Sequence, residues 1–128
     1  NRYAAGNLDE TKTHEIEVLA GAFFLSVKTI LLSLNGFDED FFMYGEDIDL
    51  SVRLNQSGYK NYYLGSISVT HLKGGSTTYN YKYVEDFYSA MKLFVKKHYN
   101  HKPPWYVLFL NSGINFRKML AVVGLIFR

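Results

Sequence analysis

The chain contains no cysteine, which excludes disulfide frameworks, thiolate metal sites and a cysteine nucleophile. It has two prolines, side by side at 103 and 104, so only that pair can break a helix by lacking a backbone N–H. Long apolar runs are also missing. Trp105–Leu110 and Met119–Phe127 both fall short of the roughly 20 residues that cross a bilayer. Acidic residues are scarce at one end. Residues 82–128 hold eight Lys/Arg against Glu85 and Asp86, whereas residues 1–81 hold six against ten Asp/Glu. The net charge of +2 therefore conceals an acidic front and a basic, aromatic back. That back does not point to nucleic acid, because its aromatics sit in apolar runs rather than as isolated stacking platforms. Residue 1 is asparagine, with no basic, apolar, small-residue leader after it, so the sequence reads as a piece of a longer protein.

What is present suffices for one modest domain. Over 128 residues the chain is 48% hydrophobic and 17% aromatic, too apolar for a disordered segment. The pattern predicts an α/β fold with few strands packed against helices. Residues 1–16 read as a loop or severed connection, 17–102 as the body, and 103–128 as a tail. Glu17 to Val27 is a continuous apolar run typical of a strand buried on both faces. Gly21 and Ala22 inside it mark a place where a backbone or ligand approaches closely. Ser26 is placed to cap a helix from Val27 to Leu34, with Gly36 at its C′ position. A second helix is expected from about Glu46 to Ser57, stopped by Gly58. Strands at Lys60–Leu64 and Ser66–Leu72 would turn at Gly65-Ser66. Tyr81 to Tyr99 is the clearest helix, with Val84, Phe87, Tyr88, Met91, Phe94 and Val95 on one face.

Beyond the prolines, the two apolar stretches flank the polar segment Asn111–Lys118. They read as amphipathic helices at a membrane surface, anchored by Trp105, Tyr106, Arg117 and Lys118. Packing on the domain or on a partner chain is the plain alternative, and a spanning helix beginning at Met119 is a third.

Chemistry concentrates in Gly36 to Arg53, GFDEDFFMYGEDIDLSVR. Aromatic residues precede three carboxylates, Glu46, Asp47 and Asp49, at a predicted helix start, where the macrodipole favours acids. An acidic helix start that merely caps well is the bland reading. Asp49 and Arg53 are spaced i, i+4, so an ordinary salt bridge is the default for them. The alternatives are that Asp49 orients hydroxyls, or that Arg53 positions Glu46 and Asp47. Tyr44 and the neighbouring rings suit either a sugar-stacking wall or a core.

Several motifs in order tip the acidic helix start toward chemistry and leave the Asp49–Arg53 pair and Tyr44 open. Gly21-Ala22-Phe23-Phe24, Asn35-Gly36-Phe37-Asp38-Glu39, Phe41-Phe42, Glu46-Asp47-Ile48-Asp49-Leu50, Arg53-Leu54, Gly58-Tyr59 and Val69-Thr70-His71 together resemble the family 2 glycosyltransferases, nearest their bacterial rhamnosyltransferase-like branch. The resemblance covers about Val18 to Thr77. It implies the C-terminal, acceptor-side portion of a GT-A fold, inverting transfer from a nucleotide-diphosphate sugar, and a glycan or lipid-linked acceptor. It makes Asp47 the general base, with Glu46, Asp49, Arg53, Tyr44, Gly21 and Ala22 on the substrate side. His71 would complete a divalent-metal site for Mg2+ or Mn2+, and Lys73, Gly74 and Gly75 would meet the donor phosphates. The family's own Asp-x-Asp motif would lie upstream of this chain. Neither Asp38-Glu39-Asp40 nor Asp47-Ile48-Asp49 takes its place. The portion would be inactive alone, with an open sheet edge inviting a second copy. Its setting would be cytoplasmic, peripheral at the inner face of the cell membrane. The rival reading is a non-enzymatic module that binds membrane or a partner through its tail.

Overall fold

The computed structural model describes residues 8–70 and 80–127. Its contacts divide the chain into two units, Asn1–Glu39 with Glu46–Leu72, and Asp40–Gly45 with Lys73–Arg128.

The first unit holds strand β1 (His14–Ile16), helix α1 (Lys28–Ser33), helix α2 (Glu46–Gln56) and strand β2 (Asn61–Tyr63). The strands pair antiparallel, His14 opposite Tyr63 and Ile16 opposite Asn61. Lys60 reaches Glu15 at 2.7 Å beside the ladder, and that carboxylate raises the Lys60 pKa. A ribbon this short is marginal by itself. It is tied to α2 through Asn61, whose Nδ2 donates to Ser51 O at 3.3 Å, and through a carbonyl shared with Asn55. The Glu17 oxygen accepts from Asn55 Nδ2 of α2 at 2.8 Å and from buried Asn61 Nδ2 at 3.0 Å. Leu50, Leu54 and Ser51 of α2 are buried, each leucine contributing about 1.5–3 kcal/mol relative to exposure.

Both helices of this unit end in Schellman geometry. At α2, Tyr59 N–H donates to Leu54 O and Gly58 N–H to Asn55 O, with Gly58 at φ +85°. At α1, Gly36 N–H donates to Leu31 O and Asn35 N–H to Leu32 O. The left-handed C′ residue is therefore Asn35, at φ +59°, not Gly36, which follows it at φ +64°. Asparagine tolerates this region through its short polar side chain. Ser26 does not cap α1. Val27 occupies that position, without a side-chain bond.

Two further expectations change. Glu17–Val27 forms no strand and is largely exposed; the described sheet consists of β1 and β2 alone. Lys60–Leu64 keeps a strand, but its partner is β1, read from sequence as loop, instead of residues 66–70. The turn at Gly65 packs on the backbone of Glu10–Lys12. A Cβ there would sit 2.6 Å from Glu10 O and collide with the Thr11 carbonyl carbon. Gly65→Ala is accordingly expected to cost about 1–3 kcal/mol, read as a lower denaturant midpoint at unchanged slope.

The second unit is built on helix α3 (Tyr81–His98) and helix α4 (Pro104–Ile126). Asn80 caps α3, its Oδ1 accepting from Tyr83 N–H at 2.9 Å, and Lys96, Lys97 and His98 in the last turn complement the dipole. Pro104 begins α4, where its missing N–H costs nothing. The two stretches expected as separate helices are one 23-residue helix, since Asn111–Lys118 contains no breaker strong enough to stop it. Val84, Val95 and Ile114 are buried with Phe41, while Phe87 and Met91 of the predicted stripe stay partly exposed. Among the described residues no helix is long and apolar enough to cross a membrane.

Lys118 of α4 meets Glu85 of α3 at 2.6 Å, and this contact lowers the Glu85 pKa. A carboxyl depressed in the folded state stabilises fully above its unfolded pKa and loses that contribution as pH falls through the folded value. Acid titration of wild type and Glu85→Gln should therefore converge below that value and differ modestly above it, as thermal midpoints will show.

Candidate functional site

Asp47 is held by two segments that are distant in sequence. Its Oδ1 accepts from Ile48 N–H at 2.8 Å, and its Oδ2 accepts from Gly21 N–H at 2.9 Å. Ser51, one turn further along α2, donates its hydroxyl to Asp47 O at 2.7 Å and accepts from Leu19 N–H at 3.0 Å. The 19–21 segment is thereby fastened to the first turn of α2 at two points. Gly21 is required for closeness rather than for φ. A Cβ on it would lie 3.3 Å from Asp47 Cβ and 3.4 Å from Oδ2. Gly21 thus marks a close approach, by the Asp47 side chain rather than by the backbone or ligand expected, and outside any strand. Each carboxylate oxygen has one backbone donor and keeps a second lone pair for another.

Beside the carboxylate lies a void of about 10 Å³, bounded by Gly21, Phe24, Phe37, Asp47, Leu50 and Ser51. That is room for about one water and for no sugar ring. A larger cleft of about 510 Å³ opens on the other side of the same segment, lined by Ala22, Phe23, Leu25, Ile30, Tyr62 and Ile67 among others. Its wall is mostly apolar, and Asp47 is not part of it.

Glu46 and Asp49 have different environments. Glu46 Oε2 is buried with no hydrogen-bond partner among the described residues. Asp49 is 1% exposed and meets Arg53 through Nε and Nη2 at 2.7 Å each. The same guanidinium donates to Leu34 O at 2.7 Å and to Gly36 O at 2.8 Å. Arg53 thus satisfies carbonyls that the end of α1 leaves open, while Asp49 fixes its fork. The i, i+4 pair read from sequence is present, and it does not reach Glu46 or Asp47. Tyr44 belongs to the second unit, where its ring packs edge-on against Tyr83 and Phe87 at 5.5 and 5.8 Å. Its hydroxyl is buried without a partner among the described residues. His71, Lys73, Gly74 and Gly75 lie outside the described residues. Among the described residues no three of His, Asp and Glu gather to hold a metal ion.

Sequence reasoning overlooked Ser51 and Asn61, the polar side chains that assemble this corner. The available signal was spacing, since Ser51 stands one helical turn after Asp47 and so shares its face.

Comparison with known proteins brings two relatives. Over 59 residues the chain is 41% identical to an N-acetylglucosaminyl-diphospho-decaprenol L-rhamnosyltransferase of Mycobacterium tuberculosis, covering 46% of this chain and 19% of that protein. Over 56 residues it is 38% identical to Rhamnosyltransferase WbbL of Escherichia coli strain K12, covering 44% of this chain and 21% of the relative. The match spans about a fifth of the length of these relatives. No family model matches the chain, and no solved structure does. The matches relate the segment to rhamnosyltransferases.

Proposed function

We propose that this chain is the acceptor-side portion of a family 2, GT-A-type glycosyltransferase that transfers a sugar, rhamnose by analogy with its relatives, from a nucleotide diphosphate to a glycan or lipid-linked hydroxyl with inversion. The observation that carries the reading is the backbone-oriented carboxylate of Asp47, whose two oxygens each accept one amide N–H and keep a lone pair for a substrate hydroxyl. In the reaction the acceptor oxygen bonds to the anomeric carbon as the bond from that carbon to the diphosphate oxygen breaks. The acceptor proton passes to a free lone pair of Asp47, and the diphosphate leaves with the bonding electrons. Glu46, next to Asp47 in sequence, is assigned to the acceptor side. Gly21 supplies the amide that aims Asp47, and Asp49 with Arg53 acts at a distance by locking α1 to α2. Ala22, next to Gly21 in sequence, is assigned to the acceptor side. The divalent cation expected with such donors would offset diphosphate charge, with His71 as ligand and Lys73, Gly74 and Gly75 on the phosphates.

A second reading is favoured by the water-sized void. Asp47 would be only a staple between α2 and the 19–21 segment, and the chain a non-enzymatic module. Grafting the matched segment into the Escherichia coli relative in place of its own separates the two. Sugar transfer by the folded graft that depends on Asp47 supports the enzyme, and transfer indifferent to Asp47 removes the base assignment.

A further inference from the structure

The strongest unexplained feature lies in the second unit. Helix α4 is apolar on both sides. One side, with Ile114, packs toward α3, and the opposite side is open. On that open side Trp105, Leu108, Phe109, Phe116, Met119 and Ile126 are exposed, Phe109 to 71% and Trp105 to 69%. At 100° per residue they fall within one stripe that runs the length of the helix, about 35 Å. An exposed apolar patch of this length marks an interaction surface.

Charge identifies the medium. The described acids of this unit each have a lysine: Asp86 meets Lys82 at 2.8 Å, Asp40 meets Lys97 at 2.6 Å, and Glu85 meets Lys118 at 2.6 Å. Lys92, Lys96, Lys102 and Arg117 remain as positive charge that no described acid of the unit offsets. Helix α4 itself contains no acid. Arg117 stands beside Phe116, off the stripe, and Lys102 just precedes the helix, next to Trp105 and Tyr106. Long basic side chains at the flank of an apolar stripe, with indole and phenol at its start, suit the boundary between headgroups and acyl chains.

We infer that α4 lies flat in the surface of an anionic lipid bilayer, its Trp105–Ile126 stripe in the acyl boundary and Lys102 and Arg117 at the headgroups. This inference does not depend on Asp47 or on sugar transfer, and it fails or stands separately from them.

Trp105 is the chain's sole tryptophan, so its emission reports on α4 directly. The experiment is co-sedimentation of the full 128-residue chain with vesicles of phosphatidylcholine alone and of equimolar phosphatidylcholine and phosphatidylglycerol, with Trp105 fluorescence followed in parallel. The expected result is binding to the anionic vesicles, a blue shift of Trp105, and weakening by salt. Phe109→Ser should lower the partition coefficient about tenfold, and Lys102→Gln about fivefold. Both positions are exposed, so far-UV circular dichroism should match wild type. Leu108→Ser provides a second apolar variant. Binding without a blue shift, no binding, or a Phe109→Ser chain that binds as well as wild type would each overturn the inference. So would a lipid-free dimer that already shields Trp105, which would give the stripe to a second copy of the chain.

Discussion

Asparagine in place of Asp47, in a folded graft of the matched segment, is expected to lower sugar transfer by about 10²–10⁴-fold, the usual worth of a positioned general base. The substitution is nearly isosteric, so shape is kept while the proton acceptor is lost. One amide contact, from Ile48 or Gly21, must then face an NH2 group, because asparagine has one acceptor oxygen where aspartate has two. A stability loss of about 1 kcal/mol should accompany the change. The two effects are separable, since transfer per folded molecule reports the base and the thermal midpoint reports the staple. A drop in transfer that merely tracks the folded fraction would leave Asp47 with an architectural role. A drop in kcat with KM little changed would place its contribution in the transition state.

Removing the guanidinium of Arg53 should do more to the fold than any other single exposed-to-buried contact in the first unit. Arg53→Ala is expected to destabilise by about 3–5 kcal/mol, because it takes the cation from a carboxylate buried in the protein. Asp49 is the group concerned, and two carbonyls at the end of α1, Leu34 O and Gly36 O, lose their donor at the same time. Arg53→Lys retains the charge without the planar fork, so it should recover part of the loss and not all of it. Denaturant titration of both variants measures this. Midpoints equal to wild type for Arg53→Ala would show that the pair contributes nothing net.

Gly21 illustrates how far local reasoning carried. A small residue in an apolar run predicted close approach, and close approach is what the Asp47 contact requires. The run itself was misjudged as strand, because apolarity signals burial in a sheet only when other strands are present to receive it. In the same way the His14–Ile16 strand carried no visible periodicity, and pairing with residues nearly fifty positions away gave it its conformation. The tail shows the converse error. Polar residues at 111–118 suggested a break, yet helix propagation needs only the absence of proline and of strong competitors.

Composition, the bounds of α2 and α3, the i, i+4 salt bridge and the motif order follow from the chain itself, because they depend on backbone chemistry and on neighbours within a turn or two. Which carbonyls Arg53 caps, which amide aims Asp47, and which side of α4 is left open were decided by tertiary structure alone. Those contacts join residues that only packing brings together, and no short-range pattern encodes them.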